Sequence, residues 1–158
     1  MIDAGSITLD QLITIGFENS ASDVFIKANQ VPMMKQFSVV RPLPGEWPVI
    51  DDQTAERLVR SKMSDRMIRI FDETSEMDLA FQVGEMCRVR MNCYRQRGGA
   101  ATVMRLIPLT IRTLEQLGLP PVLGEVTKHR QGLVLVTGPT GSGKTTTLAA
   151  LIAIINQN

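Results

Sequence analysis

One stretch near the end of the sequence, residues 132–155, constrains the fold more than any other, because three local patterns follow one another in it. It reads GLVLVTGPTGSGKTTTLAALIAII. The apolar run at 133–136 predicts a buried strand, the glycine cluster predicts a tight turn, and the alanine- and leucine-rich remainder predicts a helix. A strand that leads through such a turn into a helix is typical of the phosphate-binding entry to an α/β domain.

The turn in this stretch fits the pattern G-x-x-x-x-G-K-[ST] at every fixed position. Its glycines let several backbone N–H groups point at one anion, and the helix beginning near Gly143 adds the positive end of its dipole. We expect Lys144 to neutralise charge on the β- and γ-phosphates of ATP, and the Thr145 hydroxyl to hold Mg²⁺. The residues predicted to bind ATP are Gly138, Pro139, Thr140, Gly141, Ser142, Gly143, Lys144, Thr145 and Thr146.

The position of this loop in the chain limits what the sequence can do by itself. A P-loop domain needs several further strands, one of which carries the Walker B acid that positions Mg²⁺ and water. Only residues 146–158 follow Thr145. We therefore expect the sequence to be the N-terminal fragment of a longer P-loop ATPase, and we expect the fragment alone to be inactive.

Charge and hydropathy narrow the class of protein. The net charge is +1, from 17 basic and 16 acidic residues, so nothing global indicates a nucleic-acid partner. No apolar run approaches about 18 residues, and the N-terminus lacks a secretory signal, so no membrane span is expected. Cys87 and Cys93 fall in one predicted strand, where six residues span about 20 Å, too far for a disulfide. Two reduced thiols indicate a cytoplasmic protein.

The part of the chain before the loop mixes helix and strand periodicities, and it predicts an α+β domain over 1–110. A linker at 111–131 and the start of an α/β domain at 132–158 follow it. Capping residues are predicted at Thr8, at Asp52, at Ser64 or Asp65, and at Thr113. The predicted elements are helices over 8–17 and 53–63, a helix ending near 72, a strand at 23–26, a possible hairpin turning through 36–38, and strands at 76–83, 87–93 and 100–107.

One stretch of 18 residues, which overlaps the last two predicted strands and the turn between them, contains five arginines: Arg88, Arg90, Arg95, Arg97 and Arg105. A solvated sheet face accounts for any one of them. Because phosphoryl transfer gains most from an arginine at the γ-phosphate, often supplied by another subunit, they are also candidates for that role. A nucleic-acid patch is a third interpretation, which the shortage of stacking aromatics disfavours, since only Tyr94 lies in the segment.

Several segments together carry a family resemblance. Arg88-Val89-Arg90-Met91-Asn92 resembles the motif R-[FV]-R-V-N, residues 98–108 resemble G-x-x-x-V-x-R-x-I-P, and residues 113–120 resemble T-[LI]-E-x-L-G-L-P. Residues 21–24 resemble the start of A-S-D-[LIV]-H, with Phe25 at the histidine position. With the glycine-rich loop, these motifs resemble the type II/IV secretion ATPases, particularly the PilT-type retraction motors of type IV pili. The resemblance covers nearly the whole chain and is weakest from 27 to 75.

The resemblance implies a PAS-like N-terminal domain, a linker, and the first strand, P-loop and helix of a RecA-like ATPase domain. It implies a homohexamer in the full-length chain, in which Arg90 and Arg105 of one subunit reach the nucleotide of its neighbour. It also implies a cytoplasmic protein that meets the inner membrane through a pilus or secretion platform protein. The activity implied is ATP hydrolysis that powers pilus retraction in twitching motility. The alternatives are a pilus-assembly or secretion ATPase, or a truncated, non-catalytic interaction module of such a ring.

Overall fold

The structure is a computed structural model, and it describes residues 4–97, 99–139 and 142–157. The chain forms two compact units, the first ending at Leu109 and the second beginning at Thr110. Thr140 and Gly141, which belong to the predicted ATP-binding loop, lie outside the described residues, as does Gly98. Among the described residues, no helix has both the length and the apolar character that crossing a membrane requires.

The first unit is built on a six-stranded antiparallel sheet, and it has the predicted α+β composition. The spatial order of the strands is β3-β2-β1-β6-β5-β4. Because β1 pairs with both β2 and β6, the early hairpin and the later three-strand meander form one continuous sheet. The strands are β1 Asp23–Lys27, β2 Met33–Gln36, β3 Val39–Pro42, β4 Glu76–Val83, β5 Cys87–Gln96 and β6 Gly99–Pro108.

Three helices and one side of the sheet enclose the core. The helices are α1 Leu9–Glu18, α2 Asp52–Arg60 and α3 Asp65–Thr74. Leu12, Leu58 and Phe71, one from each helix, are fully buried in the same cluster as Val89 and Met91 of β5. Since successive strand residues point to opposite faces, the residues of β5 that alternate with these two, including Arg88 and Arg90, lie on the other side. The period-two pattern of the sequence therefore predicted the two faces of this strand.

The helix caps follow the predictions with one correction. Thr8 and Gln11 form the reciprocal capping box at α1, and Ser64 caps α3. Asp52 is not the cap of α2. The cap is Asp51, whose extended backbone places its carboxylate 2.6 Å from the Thr54 amide, and Asp52 is the first helical residue. Two consecutive aspartates offer the same chemistry, so the choice depends on where the backbone turns helical, which the sequence does not specify.

The hairpin of β2 and β3 turns without glycine. Phe37 and Ser38 form its two-residue loop, and both have positive φ, 48° and 66°. Such a loop needs left-handed backbone at both positions, which usually selects asparagine or glycine. The predicted hairpin is confirmed. Pro42 ends β3, opposite Met33, and strand β3 is exposed along its whole length.

The second unit contains a single long helix, α4 Lys144–Gln157, and a short 3₁₀ helix, Pro121–Lys128, among its described residues. Thr113 and Gln116 make the predicted reciprocal capping bonds, at 3.2 and 3.0 Å. The turn they begin is a single one, closed by bonds from the Gly118 and Leu119 amides in a Schellman arrangement. A small core joins this segment to the helix, with Leu114, Ala150 and Leu151 buried.

The predicted buried strand at 133–136 is wrong for this structure. The segment forms no strand, and Leu133 is 81% exposed and Leu135 74% exposed. A strand of a parallel sheet is buried by neighbouring strands and by helices on both faces. None of the described residues pairs with this segment, so its apolar side chains meet solvent although their pattern is that of a buried strand.

Candidate functional site

Gly138 and Gly143, the two described glycines of the loop that precedes α4, have the positive φ angles expected of such a turn. Gly138 has φ +147°, and a Cβ atom added there would lie 2.8 Å from Ser142 Oγ, closer than real Cβ contacts come. Gly143, immediately before the helix, has φ +88°. A residue with a Cβ atom is strained in this region of φ. Both positions therefore favour glycine because of their backbone conformation, whereas the Ser142 hydroxyl near Gly138 could rotate away.

Lys144 is the first residue of α4, and its side chain lies over the loop. The ammonium donates hydrogen bonds to the carbonyl oxygens of Gly138, at 2.7 Å, and Pro139, at 2.6 Å. Ser142 closes the turn with a bond from its amide to the Pro139 carbonyl, at 3.3 Å. Two backbone carbonyls thus hold the Lys144 ammonium over the loop. An anionic oxygen placed there would replace these carbonyls as its hydrogen-bond acceptor.

The first turn of α4 has the donors that an anion requires. Thr147 is the first residue whose amide bonds back to Gly143, at 2.9 Å, so the amides before it have no acceptor within the helix. Thr145 and Thr146 are both exposed there. Amides at the positive end of a helix, beside a lysine ammonium, suit a phosphate group. The Thr145 hydroxyl is one hard oxygen ligand of the kind Mg²⁺ takes together with phosphate oxygens and waters.

A second candidate site lies on the sheet face of the first unit that the helices leave open. Arg90 of β5 and Arg105 of β6 are direct cross-strand partners, so their side chains leave the sheet side by side. They line a shallow groove of about 510 Å³. The other residues that line it are Asp23, Asp78, Leu79, Ala80, Met91, Asn92 and Val103. The structure thus brings together the two arginines that the family motifs single out.

Asp23 is the carboxylate that sequence reasoning missed as a partner of these arginines. It stands opposite Arg105 across β1 and β6, and its Oδ1 accepts a bond from Arg105 Nε at 3.1 Å. Its Oδ2 accepts a bond from Ser22 Oγ at 2.8 Å. The signal was the A-S-D motif, but the 82 positions that separate Asp23 from Arg105 hide the pairing of the strands.

Arg95 belongs to a different arrangement. It lies on the helix side of β5, where its guanidinium bonds to Glu56 at 2.7 Å and to Asp72 at 3.0 Å. Arg60 also bonds Glu56, at 2.7 Å. Both guanidinium groups lie over the Phe71 ring, at 4.8 Å for Arg95 and 5.8 Å for Arg60. Arg95 therefore ties two helices to the sheet, which removes it from the candidates for γ-phosphate contact.

Several ionisable groups in the first unit have shifted pKa values. Burial raises the pKa of Glu56, but hydrogen bonds from Arg95 and Arg60 outweigh it, so the pKa is lowered. The hydrogen bond from Arg60 is the main cause that lowers the pKa of Asp72. Burial raises the pKa of the Cys93 thiol to about 11. These shifts belong to the core and its rim, away from the open sheet face.

Comparisons with known proteins identify the family. A family model described as type II/IV secretion system protein matches residues 5–158. The chain therefore belongs to the type II/IV secretion system protein family.

Within this family, the chain is similar to proteins of type IV pili. It is 36% identical over 149 residues to the type IV pilus retractation ATPase PilT of Pseudomonas aeruginosa, covering 94% of this chain and 43% of that protein. It is 39% identical over 110 residues to a twitching motility protein of Neisseria gonorrhoeae, covering 70% of this chain and 29% of that protein. The chain spans less than half the length of these relatives.

A solved structure supports the same placement. The crystal structure of the pilus retraction motor PilT with bound ADP aligns at a TM-score of 0.75 and 33% identity. The alignment covers 96% of this chain and 44% of that chain. The α+β fold with its six-stranded antiparallel sheet is thus similar to part of that motor.

Proposed function

We propose that this chain is the N-terminal part of a hexameric ATPase that hydrolyses ATP to power type IV pilus retraction. The observation that carries the proposal is Lys144 at the head of α4, directly after a loop that contains two glycines with positive φ. Similarity to a retraction ATPase over 94% of the chain supports the same function. The first unit is then the PAS-like domain, and residues 132–158 begin the RecA-like domain.

The phosphate-binding loop holds the nucleotide in this proposal. The amides at the head of α4 and the Lys144 ammonium bind the β- and γ-phosphate oxygens of ATP. The Thr145 hydroxyl holds the Mg²⁺ that neutralises charge on those oxygens. Lys144 turns from the carbonyls of Gly138 and Pro139 to the phosphate, exchanging two neutral acceptors for a charged one.

Arg90 and Arg105 act in trans on the nucleotide of a neighbouring subunit. Two guanidinium groups that leave the sheet side by side can each bind phosphate oxygens bidentately and offset charge that develops in transfer. Like charges directly opposite one another destabilise a sheet. A polyanion supplied by the neighbour offsets this cost when the ring assembles.

Alanine and lysine variants of Arg90 and Arg105 in the full-length motor test this function. We expect hexamer assembly of all the variants, and the melting temperature of the lysine variants, to stay unchanged while the ATPase rate falls on the order of 10³-fold. Mixing such a variant with Lys144→Ala subunits should restore part of the activity, because both defects then fall on the same interface and the alternate interface combines an intact lysine with intact arginines. Parent-like hydrolysis by Arg90→Lys and Arg105→Lys, or a loss that tracks unfolding, would assign the arginines a structural role.

The partner and the location follow from the proposed motor. A retraction ATPase acts from the cytoplasm on a pilus or secretion platform protein in the inner membrane, so the ring is peripheral to that membrane. A pilus-retraction defect in cells with a Lys144→Ala motor, measured as lost twitching with pili still assembled, supports retraction. Loss of assembled pili would instead indicate the assembly ATPase. Unchanged pili and twitching would contradict the proposal.

A further inference from the structure

We infer that Asp23 is a positioning residue for Arg105: it holds the guanidinium so that its terminal nitrogens face a phosphate group presented by a neighbouring subunit. The inference rests on the proposed function of Arg105. It starts from an asymmetry in this ion pair. The Asp23 side chain is 7% exposed and the Arg105 side chain 67% exposed, so a nearly buried carboxylate anchors a guanidinium that reaches into the groove.

The anchor is fixed from behind. Ser22 Oγ donates to Asp23 Oδ2 at 2.8 Å and lies 3.3 Å from the Lys35 carbonyl, and the backbone of Ser22, just before β1, is bonded to β2 and to β6. Its amide donates to the Lys35 carbonyl at 2.8 Å, and its carbonyl accepts from the Leu106 amide at 3.0 Å. Ser22 is therefore held by the strands on either side, and its hydroxyl supports the carboxylate beside it.

The nitrogen of Arg105 that bonds to the Asp23 carboxylate determines which N–H donors stay available for a phosphate. Asp23 takes the Nε–H, which leaves the four N–H donors on the two terminal nitrogens. The structure gives these terminal nitrogens no hydrogen bond to any residue it describes. Two parallel N–H groups are the fork that binds a phosphate bidentately. The bond from Nε to Asp23 thus fixes the direction of the guanidinium and leaves the two terminal nitrogens available.

Asp23 also lowers the repulsion between the two arginines. Arg90 and Arg105 are directly opposite in the sheet, and the nearby Asp78 carboxylate is engaged by Asn92 Nδ2 at 3.0 Å. Asp23 is thus the carboxylate bonded to the arginine pair. Without it, we expect Arg105 to swing away from Arg90 and the fork to lose its direction.

The test measures steady-state and single-turnover ATPase kinetics of the full-length motor. The variants are Asp23→Asn, Asp23→Ala, Arg105→Ala and the double variant Asp23→Ala with Arg105→Ala. We expect each Asp23 variant to lower kcat about 10- to 100-fold with little change in KM and melting temperature, since a small misplacement of a contact costs on this scale. In the Arg105→Ala background, Asp23→Ala should cause no further loss. Glu76→Gln, an exposed carboxylate on β4 outside the groove, is the matched control and should leave kcat unchanged.

The outcomes separate the positioning role of Asp23 from the proposed function of Arg105. If Arg105→Ala hydrolyses ATP at the parent rate, the proposed function fails. If Arg105→Ala loses activity while both Asp23 variants keep it, the positioning role is overturned and the proposed function stands. The positioning role is also overturned if the Asp23 and Arg105 losses multiply in the double variant, or if the Asp23 losses track melting. Should Asp23→Ala not assemble, the isosteric Asp23→Asn decides the question, with Ser22→Ala as the second variant.

Discussion

Arg60 and Arg95 show how the partner, rather than the residue type, decides what an arginine does. Both meet the same two carboxylates and the same aromatic ring, so their charges are compensated where the helices meet the sheet. Arg90, on the opposite face of the strand that carries Arg95, meets another arginine instead. Successive residues of a strand point to opposite faces of the sheet. Arg95 of β5 therefore lies on the helix-covered face and Arg90 on the open face.

The carboxylates of this cluster give the first unit a defined acid sensitivity. The pKa values of Glu56 and Asp72 are lowered in the folded state, so the unfolded chain binds protons first as the pH falls. Their contribution to stability is therefore complete above the unfolded pKa values, about 4.3 and 3.9, and is lost below them as the pH falls through the folded values. We expect the free energy of unfolding to drop between about pH 5 and pH 3, measured by urea denaturation.

A matched pair of variants checks the source of that drop. Glu56→Gln combined with Asp72→Asn should flatten the pH dependence, because the titrating groups are gone. Glu85→Gln, in the exposed turn between β4 and β5, should leave the slope as it is in the parent. An equally steep slope in the double variant would place the acid sensitivity elsewhere.

The two thiols should be unreactive in the folded protein. Cys87 and Cys93 are both fully buried and free, and burial raises both pKa values, that of Cys93 to about 11. At about pH 8 roughly one Cys93 thiol in a thousand is then ionised, and the thiolate is the species that reacts. We expect a chromogenic disulfide reagent to label neither cysteine in native protein and both in guanidinium. Rapid labelling of native protein would contradict the packing of β5.

Among the elements, the start of α2 offers a direct comparison of two neighbouring aspartates. Asp51→Ala removes the bond to the Thr54 amide and should lower the free energy of unfolding, as the loss of a helix N-cap does. Asp51→Asn keeps a good cap and should retain most of the stability. Thermal and urea unfolding measure both. A larger loss from Asp52→Ala than from Asp51→Ala would restore Asp52 as the cap, as the sequence alone suggested.

The strands show which parts of the fold the sequence predicts and which it does not. Alternation placed β4, β5 and β6 within a few residues, because one buried face gives a strand a strict period of two. Pairing was not predictable: that β1 lies between β2 and β6 depends on contacts between residues far apart in the chain, such as Asp23 and Arg105, which leave no local pattern. The same limit hid Asp23 from the candidate site, whereas the proposed phosphate-binding loop is a purely local motif that the sequence alone predicts.

The segment at 133–139 has the sequence pattern of a buried strand but no neighbouring strand among the described residues to bury it. Its pattern predicted a buried strand, yet three successive apolar residues, Leu133, Val134 and Leu135, are exposed. We expect its amides to exchange with solvent rapidly, since the structure gives them no strand partner, while the amides of β5 and β6 exchange slowly. Hydrogen exchange on a verified monomer measures this, and equal protection in the two regions would refute it.

At the scale of the whole molecule, the sequence as given should bind nucleotide phosphates without turning ATP over. It supplies the loop, the lysine and the threonines, but the residues that follow Thr145 include no acidic side chain that could position water. We expect no steady phosphate release from the purified 158-residue chain. Release that disappears in Lys144→Ala would contradict this expectation, and Glu76→Gln serves as the neutral control.

Pro42 carries a consequence for how the protein behaves when concentrated. In a hairpin with a two-residue loop, alternate pairs bond each other, and the bond from the Leu43 amide to the Pro32 carbonyl sets the phase. Val40 and Pro42 therefore direct their backbone outward from β3, and the proline nitrogen has no hydrogen to give. A strand of another molecule that pairs with this edge of β3 therefore meets the Val40 amide but no amide at Pro42. Fibrillar stacking through this edge is disfavoured in stored protein.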